Sequence, residues 1–128
     1  MAGIKIDLSD KYFSYYIRLK QGQCQRCHSL VVVNLETGMP VSHNASHYFG
    51  RGKENTRFDP ENVDCLCFGC HKIWGSDDRE GYRAFKIKQL GEEGFQALTI
   101  RSYQYKAKDR KMALIQAHML LRSVFLEV

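Results

Sequence analysis

The sequence predicts an α+β fold in which helices flank a compact, zinc-stapled hairpin-plus-helix centre. Three observations carry that expectation: two Cys-x-x-Cys pairs set far apart, a β-branched run between them, and helical periodicity concentrated towards the two ends.

A first helix is expected over 10–20. Ser9 can cap it, Phe13, Tyr16, Ile17 and Lys20 follow the 3–4 spacing, and Gly22 closes it. Leu30-Val31-Val32-Val33 reads as a strand, 34–40 with Thr37-Gly38 as a hairpin turn, and 41–49 as the returning strand. The polar, glycine-bearing stretch 50–60 reads as a loop and 63–66 as a short extended piece. A helix should begin near Cys67 or Phe68 and stop at Gly75. Ser76 can cap the next one, with Tyr82, Phe85 and Leu90 on one face, Gly91 as its stop and a short helix over 92–100. The last helix, 106–126, opens with Lys106, Lys108, Arg110 and Lys111, then turns apolar through Met112, Ile115, Met119, Leu120 and Val124.

A chain of 128 residues fits one domain, 1–128: an N-terminal helix (9–21), a zinc-bearing core (22–76) and C-terminal helices (77–128). At 44% hydrophobic and 26% charged, its composition is that of a globular rather than a disordered protein. No apolar run approaches the ~20 residues that span a bilayer, and 1–9 lacks the apolar stretch of a secretory signal. The cytoplasm is therefore the expected location. Nineteen Lys and Arg against fourteen Asp and Glu give a net charge of +5. That excess suits a polyanion, whose condensed counterions are released on contact, and equally suits a soluble basic protein.

Reduced cytosolic thiols argue against disulfides for the five cysteines. Four of them form the pairs Cys24/Cys27 and Cys67/Cys70. Two intervening residues let both thiolates of a pair reach one ion, and four thiolates complete the tetrahedron that Zn²⁺ accepts. Such a staple contributes on the order of 10 kcal/mol in small metal-dependent units. Cys65 reads as a small buried hydrophobe, although it could compete with Cys67 as a ligand, and His28 reads as a surface residue.

His47, Asn62 and His71 are interleaved with these pairs. Singly they have plainer readings: a strand histidine, a turn residue and a helix-surface group. Trp74 and the tyrosines at 12, 15, 16, 82, 103 and 105 read as core or core-edge packing rather than base-stacking platforms. The basic start of the last helix is either a solvated helix end or a track for a DNA backbone.

Together, Ala45-Ser46-His47-Tyr48, Asp59-Pro60-Glu61-Asn62-Val63 and Cys67-Phe68-Gly69-Cys70-His71 resemble the motif of the HNH (ββα-metal, His-Me finger) nucleases. With the leader 10–19, Arg51-Gly52, Thr56-Arg57-Phe58-Asp59 and Gly91 with Phe95 and Leu98, the chain is most similar to the phage recombination NinG/Rap-like family, over about residues 9–100. The resemblance implies a ββα-metal core and a metal-dependent DNA endonuclease acting on branched or duplex DNA, in a bacterial host's cytoplasm if phage-encoded. His47 would be the general base and His71 a ligand of catalytic Mg²⁺ or Mn²⁺. Asn62 would tether the loop and orient His47, while Arg51 or Arg57 would hold a phosphate oxygen. Products would carry a 5′-phosphate and a 3′-hydroxyl.

Ser46 stands where many HNH nucleases have an Asp or His ligand. On an extended strand, residue 43 shares a face with 47 and residue 44 with 46, so His43 and Asn44 are the candidates for the missing ligand. Asn is a weaker ligand than Asp for a hard cation. A zinc-stapled DNA-binding module without hydrolysis is the alternative, and a protein-interaction domain of the recombination machinery is a third. Symmetric cleavage of a junction would favour a homodimer. The apolar last helix could serve as its interface, though core burial explains that helix equally well.

Overall fold

The computed structural model describes residues 5–126, a mixed α+β arrangement of helices around a two-stranded sheet. Helix α1, Leu8–Gln21, begins two residues earlier than expected. Asp7, not Ser9, caps it, because Asp7 and Asp10 form a reciprocal capping box that satisfies two backbone donors at once. The Ser9 hydroxyl donates to the Asp7 carboxylate instead. Gly22 ends the helix in the left-handed conformation (φ 73°), its N–H bonded to the Arg18 carbonyl at 3.0 Å.

Strand β1, Asn44–His47, pairs antiparallel with β2, Val63–Leu66, with Ala45 opposite Cys65 and His47 opposite Val63. The expected hairpin between 30–33 and 41–49 does not form as such. Those segments meet through one isolated bridge, Val33 to Pro40, and single hydrogen bonds around a turn in which the Asn34 side chain accepts from Glu36 and Thr37. Pro40 has no N–H to donate, and His43 takes a positive φ of 68°, so a regular strand starts only at Asn44. The apolar residues of this finger are largely exposed, Leu35 at 98%.

All four residues of β2 are buried. Its outer edge is closed by Gln21, whose amide accepts from Cys65 N (2.6 Å) and donates to Val63 O (3.3 Å), and by Gln25 N bonding Cys65 O at 2.9 Å. Phe13 and Ile17 of α1 pack on this sheet with Ala45, Val63, Cys65 and Ala117. A second cluster joins Cys24, Leu66, Cys70, Trp74 and Tyr82, with Trp74 stacked on Tyr82 at 5.1 Å.

Between the strands lie the short helix α2, Glu54–Arg57, and a 3₁₀ turn, Pro60–Asn62. After β2, helix α3, Phe68–Lys72, runs on into a π-turn, Ile73–Asp77. Asp78 rather than Ser76 then caps α4, Arg79–Tyr103, by accepting from Gly81 N at 2.9 Å. Ser76 bonds back to the Lys72 carbonyl. As expected, Gly91 interrupts this helical stretch; its φ of 77° and ψ of 164° lie in a region essentially reserved for glycine.

The last helix, α5, Arg110–Leu126, packs on α1 through Ala113, Ala117 and Leu121. This corrects the expected face: Met112, Ile115 and Met119 are exposed, while Leu120 and Val124 are partly buried. Small alanines let the two helix backbones approach, which rotates the longer side chains outward. Lys106 and Lys108 precede the helix rather than open it. Among the described residues no helix is long and apolar enough to cross a membrane.

Candidate metal centre and active site

Cys24, Cys27, Cys67 and Cys70 converge with their sulfurs all within 4.8 Å of one another, a cluster that could hold a structural metal such as zinc. Four sulfurs about 2.3 Å from a tetrahedral ion lie about 3.8 Å apart, and the Cys27 and Cys67 sulfurs are 3.7 Å apart. The first pair sits on a tight turn closed by Cys24 N to Ser29 O (2.8 Å) and His28 N to Cys24 O (2.9 Å), with His28 at a positive φ of 67°. The second pair straddles the start of α3. Hydrogen bonding, chiefly with Ser29, holds the Cys27 thiol down at about 6, whereas burial pushes the Cys70 thiol up to about 12. Cys65 stays out of the cluster, buried on β2 with its thiol also pushed up to about 12 by burial.

His71 is the residue after Cys70, so the cluster that anchors α3 also positions this imidazole. It lines a cleft with Ser46 and His47 of β1, closed on the other sides by Lys72, Ser76 and Arg79. Among the described residues three buried side-chain atoms have no hydrogen-bond partner in the protein: His47 Nδ1, His71 Nδ1 and Arg51 Nε. Unpaired buried polar atoms are costly and uncommon, and the two histidine nitrogens belong to residues that line this cleft, which makes it the candidate ligand site.

The protonation state of His47 follows from its other nitrogen. Nε2 lies 2.8 Å from the Arg57 carbonyl oxygen, which can only accept, so Nε2 carries the proton and Nδ1 the lone pair. Burial, then the Arg51 charge, pulls the pKa of this ring down to about 4, and the same two causes in the same order lower that of His71. Both rings are therefore neutral near pH 7.

The carbonyl that orients His47 belongs to the loop between the strands, which Asn62 holds shut. Its buried amide accepts from Phe49 N (2.8 Å) and donates to Phe49 O (2.8 Å) and Thr56 O (3.0 Å). Below β1, the Tyr82 hydroxyl reaches both the Ser46 carbonyl (3.1 Å) and Asp64 (2.9 Å), and Lys86 completes a buried ion pair with Asp64 at 3.1 Å. The strand residue next to His47 is thus braced from behind.

Two candidate ligands and one candidate clamp lie elsewhere. The His43 ring is bound between Ser42 Oγ (2.8 Å) and Ser29 Oγ (3.0 Å), beside the cysteine turn. Its positive φ breaks the strand alternation that had put it on the face of His47. Asn44, half-buried at the head of β1, is also outside the cleft lining. Arg57 is 2% exposed and forks onto Asp10 (2.9 and 2.5 Å), with a further bond to Lys5 O at 2.8 Å. It is a structural residue, closed off from a phosphate.

Arg51 is different: its side chain is 30% exposed, and its Nε, without a hydrogen bond, makes only a loose ion pair with Asp10 at 3.7 Å. Lys72 and Arg79 are cleft-side cations that sequence reasoning missed. Lys72 directly follows His71 and could have been found by continuing the helix one residue. Arg79 could not, because the π-turn sets where α4 begins. Compared with protein families, curated proteins and solved structures, this chain has no match.

Proposed function

We propose that the chain is a metal-dependent DNA endonuclease of the HNH, or His-Me finger, type. The observation that carries this reading is that His47 and His71 line one cleft with their Nδ1 atoms buried and unpaired, while His47 Nε2 is committed to a backbone carbonyl and the Arg51 charge acts on both rings. The order β1, loop, β2, α3 supports a ββα-metal core, with the cysteine cluster at its base holding structural zinc.

In this reading His47 Nδ1 takes a proton from a water molecule as the water oxygen bonds to phosphorus. The bond from phosphorus to the 3′ oxygen breaks, leaving a 5′-phosphate and a 3′-hydroxyl. Arg51 binds a non-bridging oxygen, and Lys72 and Arg79 hold flanking phosphates at the cleft rim. Asn62 fixes the loop so that the Arg57 carbonyl stays on His47 Nε2. His71 would hold a divalent ion, Mg²⁺ or Mn²⁺, which when bound offsets charge growing on the leaving oxygen. Among the described residues no carboxylate lines the cleft, so water and the DNA phosphate would have to supply the remaining ligands, a poorer set than the one or two carboxylates that usually hold Mg²⁺. The ordered motifs favour phage or prophage recombination and branched or duplex DNA as the substrate.

That lack of a carboxylate also motivates a second reading, a zinc-stapled DNA-binding module without hydrolysis. Zinc-loaded protein given Mg²⁺ or Mn²⁺ with duplex, nicked and four-way DNA separates the two. We expect cleavage, reduced about 100-fold or more in His47→Ala with DNA binding retained. Undiminished cleavage by that variant would remove His47 as the base; salt-sensitive binding without nicking under either ion would favour the second reading.

A further inference from the structure

Tyr103 and Tyr105 lie 74% and 91% exposed at the end of α4 and in the linker after it. This corrects the expectation that they pack in the core or at its edge. Exposed aromatics are unremarkable on a loose segment, but this linker is tied at both ends to α2. At one end Asn55 Nδ2 donates to Arg101 O (2.9 Å) and reaches Gln104 Oε1 (3.4 Å). At the other, Arg110 pairs with Glu54 (2.8 Å) and Asp7 (3.0 Å). The tyrosines are presented on a braced frame.

Their surroundings are cationic. A groove runs between Lys53 on one side and Tyr103, Tyr105, Lys106 and Lys108 on the other. The Lys53 ammonium sits 4.4 Å from the centre of the Tyr103 ring. The acids at its edges are engaged: Glu54 by Arg110 and Arg57, and Asp109 by the Met112 N–H at the start of α5. Exposed lysines beside two exposed aromatic rings, one of them already carrying a lysine ammonium on one face, suit a ligand that offers both phosphates and flat rings. Lys53 also stands two residues from Arg51, about 7 Å of chain at most, and Arg51 is the cation whose charge reaches both His47 and His71.

We infer that this groove binds single-stranded DNA, its bases stacking on Tyr103 and Tyr105 and its phosphates facing Lys53, Lys106 and Lys108. The inference builds on the endonuclease reading and narrows its substrate to DNA with an unpaired stretch beside the cleaved bond. Stacking on aromatic side chains needs unpaired bases, because in a duplex their faces are already covered.

The test is binding, not cleavage. Zinc-loaded His47→Ala protein, without Mg²⁺ or Mn²⁺, is titrated into a fluorescent oligo(dT) of about a dozen nucleotides, an abasic strand of equal length, and a duplex of equal length. Oligo(dT) should bind at least about fivefold more tightly than the abasic strand, and Tyr103→Ala or Tyr105→Ala should each lose about that factor, the lower end of what one stacked base contributes. Phe at either position should restore it. Lys106→Gln with Lys108→Gln should lower the slope of log affinity against log salt by about 1.4 for both single strands alike.

Equal affinity for oligo(dT) and abasic strands, tighter binding of the duplex, or alanine variants that bind oligo(dT) undiminished would each overturn the inference while leaving the endonuclease reading standing. Stacking-dependent binding by a wild-type protein that cleaves nothing would do the reverse.

Discussion

His47 has a usable lone pair because its two ring nitrogens have different neighbours: a carbonyl at Nε2 and no protein partner at Nδ1. Its titration has a readable sign. Folding lowers its pKa from about 6.5 to about 4, so between those values the unfolded chain binds the extra proton and the fold loses stability as pH falls. The loss reaches about 3 kcal/mol near pH 4 and is absent above about pH 6.5. A reaction that needs the neutral ring should hold its kcat/KM down to about pH 5 and fall tenfold per unit below about pH 4. A half-fall near pH 6.5 in the pH–rate profile would mean that the base is another group or an unburied one.

Between elements, the most consequential bond is Arg57 to Asp10, which ties α2 to α1 and thereby fixes the carbonyl on which His47 rests. Both side chains are 2% exposed. Replacing one member strands the other's charge in the interior, so Arg57→Met should cost about 3–5 kcal/mol in urea unfolding. If that variant were as stable as the parent but showed a shallower salt dependence of DNA binding, Arg57 would be a phosphate contact after all. From sequence, Arg57 and Arg51 look alike, two loop arginines six positions apart. What separates them is Asp10, remote in the chain and visible as a partner only once α1 is docked.

For the molecule as a whole, the four cysteines join the start of the core to its end. A metal there would contribute on the order of 10 kcal/mol, comparable with the whole stability of a domain this size, about 5–15 kcal/mol. We expect one tightly bound zinc per chain by metal analysis, and a chelator strong enough to remove it should abolish the cooperative melt followed by circular dichroism. A chelated protein with an unchanged melting curve would make the cluster incidental to the fold. Because α3 carries both Cys70 and His71, loss of the metal should disorder the cleft as well as the core.

The local features were legible in sequence because they depend on near neighbours. The cysteine pairs, the break at Gly91 and the C-cap at Gly22 each follow from spacing or backbone preference within a few positions, whereas His47, Asn62 and His71 stand out only through the resemblance of their ordered motifs to the HNH nucleases. Tertiary structure alone decided which strand pairs with which, which arginine is buried, which face of α5 meets α1, and that His43 and Asn44 stand away from the cleft. Those outcomes are competitions for burial and for charge partners among residues distant in the chain. Periodicity states how a segment can present its side chains; only packing selects the face that is covered.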